Sequence, residues 1–296
     1  MPTMADLPDT ERRRASPTYV EPHKGDLETT REERFECAKK IEEKLRHVYK
    51  HTFPLTAIHA SIILLVPEGC LKDGGFLDPD QPSSFLKEAL KHVAELAIVG
   101  AEAFFSEAVV TDLVALIANT YYLGGSNKDW NMLSLNEGLY SWWPQGFFGF
   151  KCLGIKPLDS QNPDVETSED QETEVMIQFN WLECRQGKPN DQVTVMGSSN
   201  SMEDLAKRQL FHEANGNPAP DRNERGIIAA GGMDAHTSII SGHVVPIVLP
   251  FSDAKKCKLM IDLQWCLIQV AAMSGGARHP ELLPTPYARW ADKLDH

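Results

Sequence analysis

The sequence predicts an α+β fold. Apolar residues recur at helical spacing near both ends of the chain, over residues 31–48 and 252–274. Between these stretches, four apolar residues alternate with polar ones as in a half-buried strand: Val175, Ile177, Phe179 and Trp181. We find no internal repeat. Helical and strand patterns therefore share one main domain, which we expect to cover about residues 28–285.

The first helix is predicted to follow Thr30. Thr30 and Glu33 have the spacing of a capping box. One apolar stripe then continues through Phe35, Ala38, Ile41, Leu45 and Val48. Pro54 ends the pattern, and the apolar run at residues 57–66 is interpreted as a strand.

Further elements follow from the same patterns. Helices are predicted from Ser84, over 101–120 (apolar nearly all round and therefore buried), over 202–213 and from Ser252 to Gly275. The last helix carries an apolar face made of Leu259, Leu263, Cys266, Leu267, Val270 and Met273. Residues 242–250 are predicted to be a strand, and their internal proline favours an edge position.

The remaining segments are polar. Residues 1–27 are predicted to be a disordered N-terminal tail and residues 286–296 a C-terminal tail. Residues 158–174 carry seven acidic residues and no basic one, which indicates a solvated acidic insert. Residues 185–235 are rich in Gly, Asn, Ser and Asp and form a long connection.

Charge and cysteine content narrow the class of protein. The 296 residues include 29 Lys and Arg against 42 Asp and Glu, a formal net charge of -13, which argues against a large nucleic-acid footprint. No apolar run is long enough to span a membrane, and the N-terminus does not resemble a secretory signal. The six scattered cysteines form no CxxC pair, so we expect reduced thiols in a cytoplasmic or nuclear protein. Nothing in the sequence predicts an oligomeric state.

Common cofactor and catalytic motifs are absent from the sequence. It contains no GxGxxG after a strand, no GxxxxGK[ST], no HExxH and no GxSxG. The sequence therefore predicts no bound cofactor. Aromatic residues are instead dense at 140–150, a composition that suits either an apolar ligand pocket or an ordinary core.

Four segments in one order resemble a family of fungal proteins that carry an HNH nuclease-like domain. They are NMLSLNEGLYSWWPQGFFGFKCLGI, EVMIQFNWLE, SGHVVPIVLP and LMIDLQWCLIQVAAMSGGA, and the resemblance covers about residues 130–278. It implies a ββα-metal (HNH-like) core with added helices and antiparallel strands. In such a site one histidine is the general base that activates water, an asparagine orients this histidine, and a last histidine holds a divalent ion.

The resemblance carries over to this chain only in part. Asn131 matches the family's asparagine, whereas Tyr140 stands where the last histidine would be. A neutral phenol is a poor ligand for a hard divalent ion. The first histidine corresponds to Ser61 or, with a shift of two residues, to His59, and on a strand both would point the same way. The family's strand histidine is Asn180 here.

These departures predict a degraded nuclease site, with a divalent metal only if nuclease activity is retained. The first hypothesis is a scaffold reassigned to bind or convert a small apolar molecule, by cyclisation, isomerisation or an accessory step of fungal secondary metabolism. His59, Asn131 and Tyr140 would act as catalytic groups, and Trp142, Trp143 and Phe148 would line the ligand. The second is a pseudo-nuclease that binds a protein or nucleic-acid partner. The third is a residual metal-dependent DNA endonuclease.

Overall fold

Helices and one antiparallel sheet form the described part of the chain, which confirms the α+β class. The computed structural model describes residues 18–19, 25–49, 54–94, 104–117, 128–158, 168–195, 201–214, 216, 239–279 and 282. Within these residues the helices are α1 (Gly25–Tyr49), α2 (Ala57–Leu65), α3 (Ser83–Ala94), α4 (Glu107–Ile117), α5 (Glu137–Trp142), α6 (Ser201–Glu213) and α7 (Phe251–Ser274). The strands are β1 (Thr18–Tyr19), β2 (Phe148–Pro157), β3 (Glu172–Trp181) and β4 (His243–Pro250).

The sheet has the strand order β1-β4-β3-β2, and each neighbouring pair is antiparallel. Two of the three strands predicted from the sequence, now β3 and β4, are confirmed. A bulge interrupts the β2–β3 register between Cys152 and Gly154. β1 pairs only with His243 and Val244, so Pro246 pairs with β3 alone in the described part of the sheet. The internal proline predicts an edge position, whereas β4 lies second in the sheet with β1 at the edge; Pro246 itself lies beyond the two residues that pair with β1.

The strand predicted over residues 57–66 is wrong, because this segment forms helix α2. Thr56 and His59 make a capping box at its start, the local signal that selects a helix here. Seven of its nine residues are buried: Ala57, Ile58, Ala60, Ser61, Ile62, Ile63 and Leu64. An element buried on nearly all sides carries no apolar periodicity, and periodicity is what separates a helix from a strand in a sequence.

Helix α7 joins the sheet to the helices. Its buried residues belong to four apolar clusters: Ala254, Cys257 and Ile261 pack with the sheet, Leu263 with α4, Trp265 and Ala272 with Leu182 and Cys184, and Val270 and Met273 with α1, α2, α3 and α6. The single apolar face predicted for this helix is therefore incomplete. The predicted Ser252 cap is also wrong, because the helix begins at Phe251 with Pro250 as its N-cap.

Helix α7 runs antiparallel along β2. A Cβ atom at Gly149 would come within 2.9 Å of Ile268 Cγ2 and 3.1 Å of the Trp265 ring. Three residues earlier, just before β2 begins, a Cβ atom at Gly146 would come within 2.6 Å of Ala277 Cβ, just beyond the helix. Two glycines thus allow the strand backbone to approach the helix closely.

The helices on the other side of α7 form a second layer. Ala38, Ile41 and Leu45 of α1 are fully buried, as the predicted stripe requires, whereas Val48 is exposed. Arg34 ties α1 to α2, because its Nη1 donates to the carbonyls of Ile63 (2.9 Å) and Val66 (2.8 Å). These carbonyls lie at the end of α2, where a helix leaves acceptors without internal partners.

Helix α4 differs from its prediction. It was expected to be buried all round, yet Glu107, Thr111 and Asp112 are exposed while Val110 and Leu113 are buried. Predicted α3 and α6 are confirmed, with starts at Ser83 and Ser201. Residues 158 and 168–174 of the predicted acidic insert are described, as are 185–195, 201–214 and 216 of the long connection. Most of both predicted tails lies outside the described residues, although β1 and the start of α1 fall within the range 1–27.

Two of the expectations from the sequence concern the cysteines and membrane-spanning helices. All six cysteines are free. Among the helices of the described ranges, none combines the length and the apolar character that a bilayer crossing requires.

Gly275 offers a direct test of how α7 ends. Its φ is 87°, and an added Cβ atom would meet the carbonyl of Gly187. We expect Gly275→Ala to lower the free energy of unfolding by about 2 kcal/mol or more, because strain at positive φ adds to the backbone clash. Gly69→Ala is the matched control, since nothing lies within 4 Å of its Cβ position. Urea denaturation measures both, and equal effects of the two substitutions would contradict this role of Gly275.

Candidate functional site

The three predicted catalytic residues lie on different elements. His59 lies in the first turn of α2, which packs in the helical layer. Asn131 ends a short 3-10 helix, Asp129–Asn131, and Tyr140 lies in α5. The segment after Asn131 packs on the sheet side, through Leu133, Leu135 and Leu139. His59 thus belongs to the helical layer, whereas the segment of Asn131 and Tyr140 belongs to the sheet layer.

His59 caps its own helix. Its Nδ1 accepts a hydrogen bond from the backbone N–H of Thr56 (3.3 Å) and lies 2.9 Å from the Thr56 hydroxyl. Because Nδ1 is an acceptor, the neutral ring carries its proton on Nε2. Burial lowers the pKa of His59 to about 4. The ring is held neutral, and its unprotonated nitrogen, Nδ1, is already engaged in the helix cap. It therefore does not have the arrangement of a general base that activates water.

Ser61 does not share a face with His59, which corrects the expectation based on a strand. On a helix, residues two positions apart, such as His59 and Ser61, are separated by about 200° around the axis. The Ser61 hydroxyl is fully buried and donates to the carbonyl of Ala57 at 2.8 Å. The structure therefore assigns a local backbone partner to Ser61 and a capping role to His59.

Tyr140 is at the surface. Its side chain is 70% exposed, and Met132 in the same segment is 60% exposed. Helix α5 is fixed at its start by Asn136, whose Oδ1 accepts from the Leu139 backbone N–H at 2.8 Å. Leu139 in turn is buried against the sheet. The helix thus holds Tyr140 outward while its opposite side packs inward.

Most of the aromatic segment builds the core. Phe148 is fully buried and stacks on Phe179 with ring centroids 4.8 Å apart. Trp143 meets Phe150 edge to face at 5.5 Å. Trp142 and Trp143 are half-buried, so each presents part of its ring at the surface. The three residues predicted to line a ligand therefore differ, since Phe148 lies inside the core and the two tryptophans lie at its rim.

Asn180 occupies an interior position on β3. It is 1% exposed, and its Nδ2 donates to the Gln178 backbone carbonyl at 3.2 Å. Its neighbour on β2 is Gly149, against which α7 packs. The position of the family's strand histidine thus holds a buried amide in this chain.

Sequence reasoning missed a cluster of carboxylates. Asp73, Asp78 and Asp80 place one oxygen each within 4.8 Å of one another. They line a cavity of about 300 Å³ between α1 and residues 68–80. Three such oxygens could hold a hard cation. The signal in the sequence is the close spacing of three aspartates around Gly74 and Gly75, between the strand predicted over 57–66 and the helix predicted from Ser84.

Hydrogen bonds within this loop already engage its buried carboxylate. Asp78 is 6% exposed, and its two oxygens accept from the backbone N–H groups of Gly74 (2.9 Å) and Asp80 (2.8 Å). These backbone hydrogen bonds lower the pKa of Asp78. The ionised carboxylate therefore has a structural role in shaping the loop.

Comparison with known proteins does not assign the chain to a family. No family model matches it, and neither a curated protein nor a solved structure does. The resemblance to HNH nuclease-like proteins therefore stays a prediction made from the quoted segments.

The capping role of His59 predicts a pH dependence. A lowered pKa in the folded state means that the unfolded chain binds the proton more tightly. The stabilising contribution is therefore complete above the unfolded pKa of about 6.5 and is lost as the pH falls toward about 4. The whole loss for one such group is about 3 kcal/mol.

Substitution separates His59 from other titrating groups. His59→Gln keeps an acceptor at the third helical position and removes the titration. We expect its free energy of unfolding to fall less steeply with decreasing pH than that of the natural protein, as measured by urea denaturation at several pH values. His47→Gln, at an exposed position of α1, is the control. An unchanged slope in His59→Gln would contradict the assignment.

Proposed function

We propose that the protein is an HNH nuclease-like scaffold that has lost nuclease chemistry and binds a protein partner through the surface around Tyr140. The proposed ββα-metal ancestry rests on the resemblance of four ordered segments. The observation that supports the binding role most strongly is the exposure of Tyr140, at 70%, on a helix whose other side is packed.

The geometry of the replaced residues supports loss of the nuclease. His59 accepts a capping hydrogen bond, and the Ser61 hydroxyl is buried on a backbone carbonyl. Tyr140 offers a neutral phenol where the family has a metal-binding histidine. Each of these three positions therefore supports a role other than nuclease chemistry.

A protein fits this surface better than a nucleic acid. The net charge of -13 repels phosphates, and nucleic-acid affinity depends on Lys and Arg that neutralise them. Tyrosine and methionine are enriched in the cores of protein interfaces. Tyr140 and Met132 are both more than half exposed in the segment after Trp130. We place this role in the cytoplasm or nucleus, in keeping with six free thiols.

Small-molecule binding is a second candidate function, favoured by the half-buried rings of Trp142 and Trp143 beside the exposed Tyr140 in α5. Partly exposed aromatic rings present the flat apolar surface that suits an apolar ligand. In this alternative, His59, Asn131 and Tyr140 would be expected to support conversion of the ligand. The location of His59 in the helical layer makes that combined role the weaker of the two.

One purification distinguishes the two candidates. The tagged natural protein is isolated from the cells that express it, beside a Met132→Ser, Tyr140→Ser double variant, and each sample is analysed by native mass spectrometry. We expect a stoichiometric protein partner with the natural protein and a loss of about tenfold or more with the double variant, because interface anchors contribute more than 1 kcal/mol each.

The control is Val48→Ser, which removes an apolar side chain of similar exposure, 50%, from α1. It should retain the partner. An added mass of a few hundred daltons in place of a protein would support the second candidate. Partners that bind all three proteins equally, or no stoichiometric partner, would contradict the proposed binding surface.

A further inference from the structure

The last turn of α6 is attached to the end of β3 by a buried histidine. His212 is 0% exposed, and its Nε2 accepts a hydrogen bond from the backbone N–H of Glu183 at 3.0 Å. Glu183 lies two residues after β3 ends at Trp181. Because Nε2 is the acceptor, the proton of the neutral ring is on Nδ1. That nitrogen is buried and has no hydrogen-bond partner among the described residues.

A second proton on this ring would remove the acceptor that holds the Glu183 N–H. It would place an N–H donor against that N–H, with the Glu183 carbonyl 3.4 Å from Nε2 as the acceptor at hand, and it would place a charge in a buried position. The Arg208 guanidinium, whose charge acts on the ring, is also positive. Burial lowers the pKa of His212 to about 3; the backbone hydrogen bond with Glu183 opposes this shift, and the Arg208 charge adds to it.

The acidic groups around α6 are already paired. Arg208 forms an ion pair with the Glu183 carboxylate, with Nη1 and Oε1 3.4 Å apart. Glu213 accepts from Lys151 of β2 at 2.8 Å and from Gln269 of α7 at 3.0 Å.

The other elements packed against α6 bring few charges to the ring. Asp262 of α7 pairs with Lys258 of the same helix, and the Cys266 thiol lies near Glu213. Arg31 of α1 pairs with Glu203 in the first turn of α6, far along the helix from His212. The titratable side chain of α2 is His59. Helix α2 is joined to α6 by the Leu64 carbonyl, which accepts a hydrogen bond from α6. None of these groups offers a buried imidazolium a carboxylate free of a basic partner.

Helix α6 has a smaller apolar anchor than its neighbour α7. Its buried apolar residues are Met202, Leu205 and Ala206, whereas α7 contributes to all four clusters. An element that is held in place by less buried apolar area opens locally at a lower free energy. Polar ties such as that of His212 therefore carry a larger share of the attachment of α6 than of α7.

We propose that α6 is an acid-sensitive latch, whose C-terminal turn releases from the end of β3 as the pH falls while α7 and the sheet stay folded. The released histidine is solvated and takes an ordinary pKa of about 6.5. Stability of the closed latch is therefore complete above about pH 6.5 and is lost progressively below it. Between about pH 7 and pH 5 the opening equilibrium constant rises about 25-fold for one such group.

Hydrogen exchange followed by mass spectrometry tests the latch in the full chain. Protection factors, corrected for intrinsic exchange, are compared at about pH 7 and pH 5 for peptides within α6 and within α7. We expect α6, which opens locally, to be less protected than α7 at both pH values and to lose protection by about 25-fold between them. In His212→Gln, which keeps an acceptor near the Glu183 N–H, α6 should show no such change. His47→Gln, at an exposed histidine, should behave as the natural protein does.

Two results would overturn the latch. One is a protection of α6 that is the same at both pH values in the natural protein. The other is a protection of α6 that equals that of α7 at pH 5, which would mean that α6 opens only together with the whole fold. If His212→Gln does not fold, the comparison of α6 with α7 in the natural protein decides between these outcomes.

Discussion

The burial of α7 on nearly all sides is the constraint on which the rest of the structure depends. This helix is the one described element that contributes residues to all four apolar clusters, with the sheet on one side and α1, α2 and α6 on the other. Its close approach to β2 requires Gly149 and Gly146, and its end requires the positive φ of Gly275. The two layers are thereby held at fixed positions by one helix.

This arrangement determines where chemistry-bearing side chains lie. The helical layer holds His59 and the aspartate cluster near α1, whereas the sheet layer holds Phe148 and the helix that carries Tyr140. Residues that the sequence suggested for one site are thus distributed over two layers. Among the described residues, Tyr140 lies exposed on a helix whose other side is packed, which supports the proposed recognition role.

Local patterns in the sequence were sufficient for elements with one buried face. The stripe of α1, the alternation of β3 and the glycine that ends α7 all have direct physical signals. The segment 57–66 was mistaken for a strand because burial on nearly all sides removes periodicity. The cluster of Asp73, Asp78 and Asp80 depends on how a loop folds back on itself, and the exposure of Tyr140 depends on which side of α5 meets the sheet. Neither is encoded in local periodicity.

A plasmid-nicking assay measures whether the proposed HNH-like scaffold has lost nuclease chemistry. The purified natural protein and a Tyr140→His variant are incubated with Mg²⁺, Mn²⁺, Zn²⁺ or Ni²⁺, with and without EDTA. We predict that the natural protein leaves the plasmid intact with every metal, because its phenol is a poor ligand and His59 is held in a cap. Cleavage gained by Tyr140→His would in addition support the proposed ancestry. Nicking by the natural protein that EDTA abolishes would contradict the account.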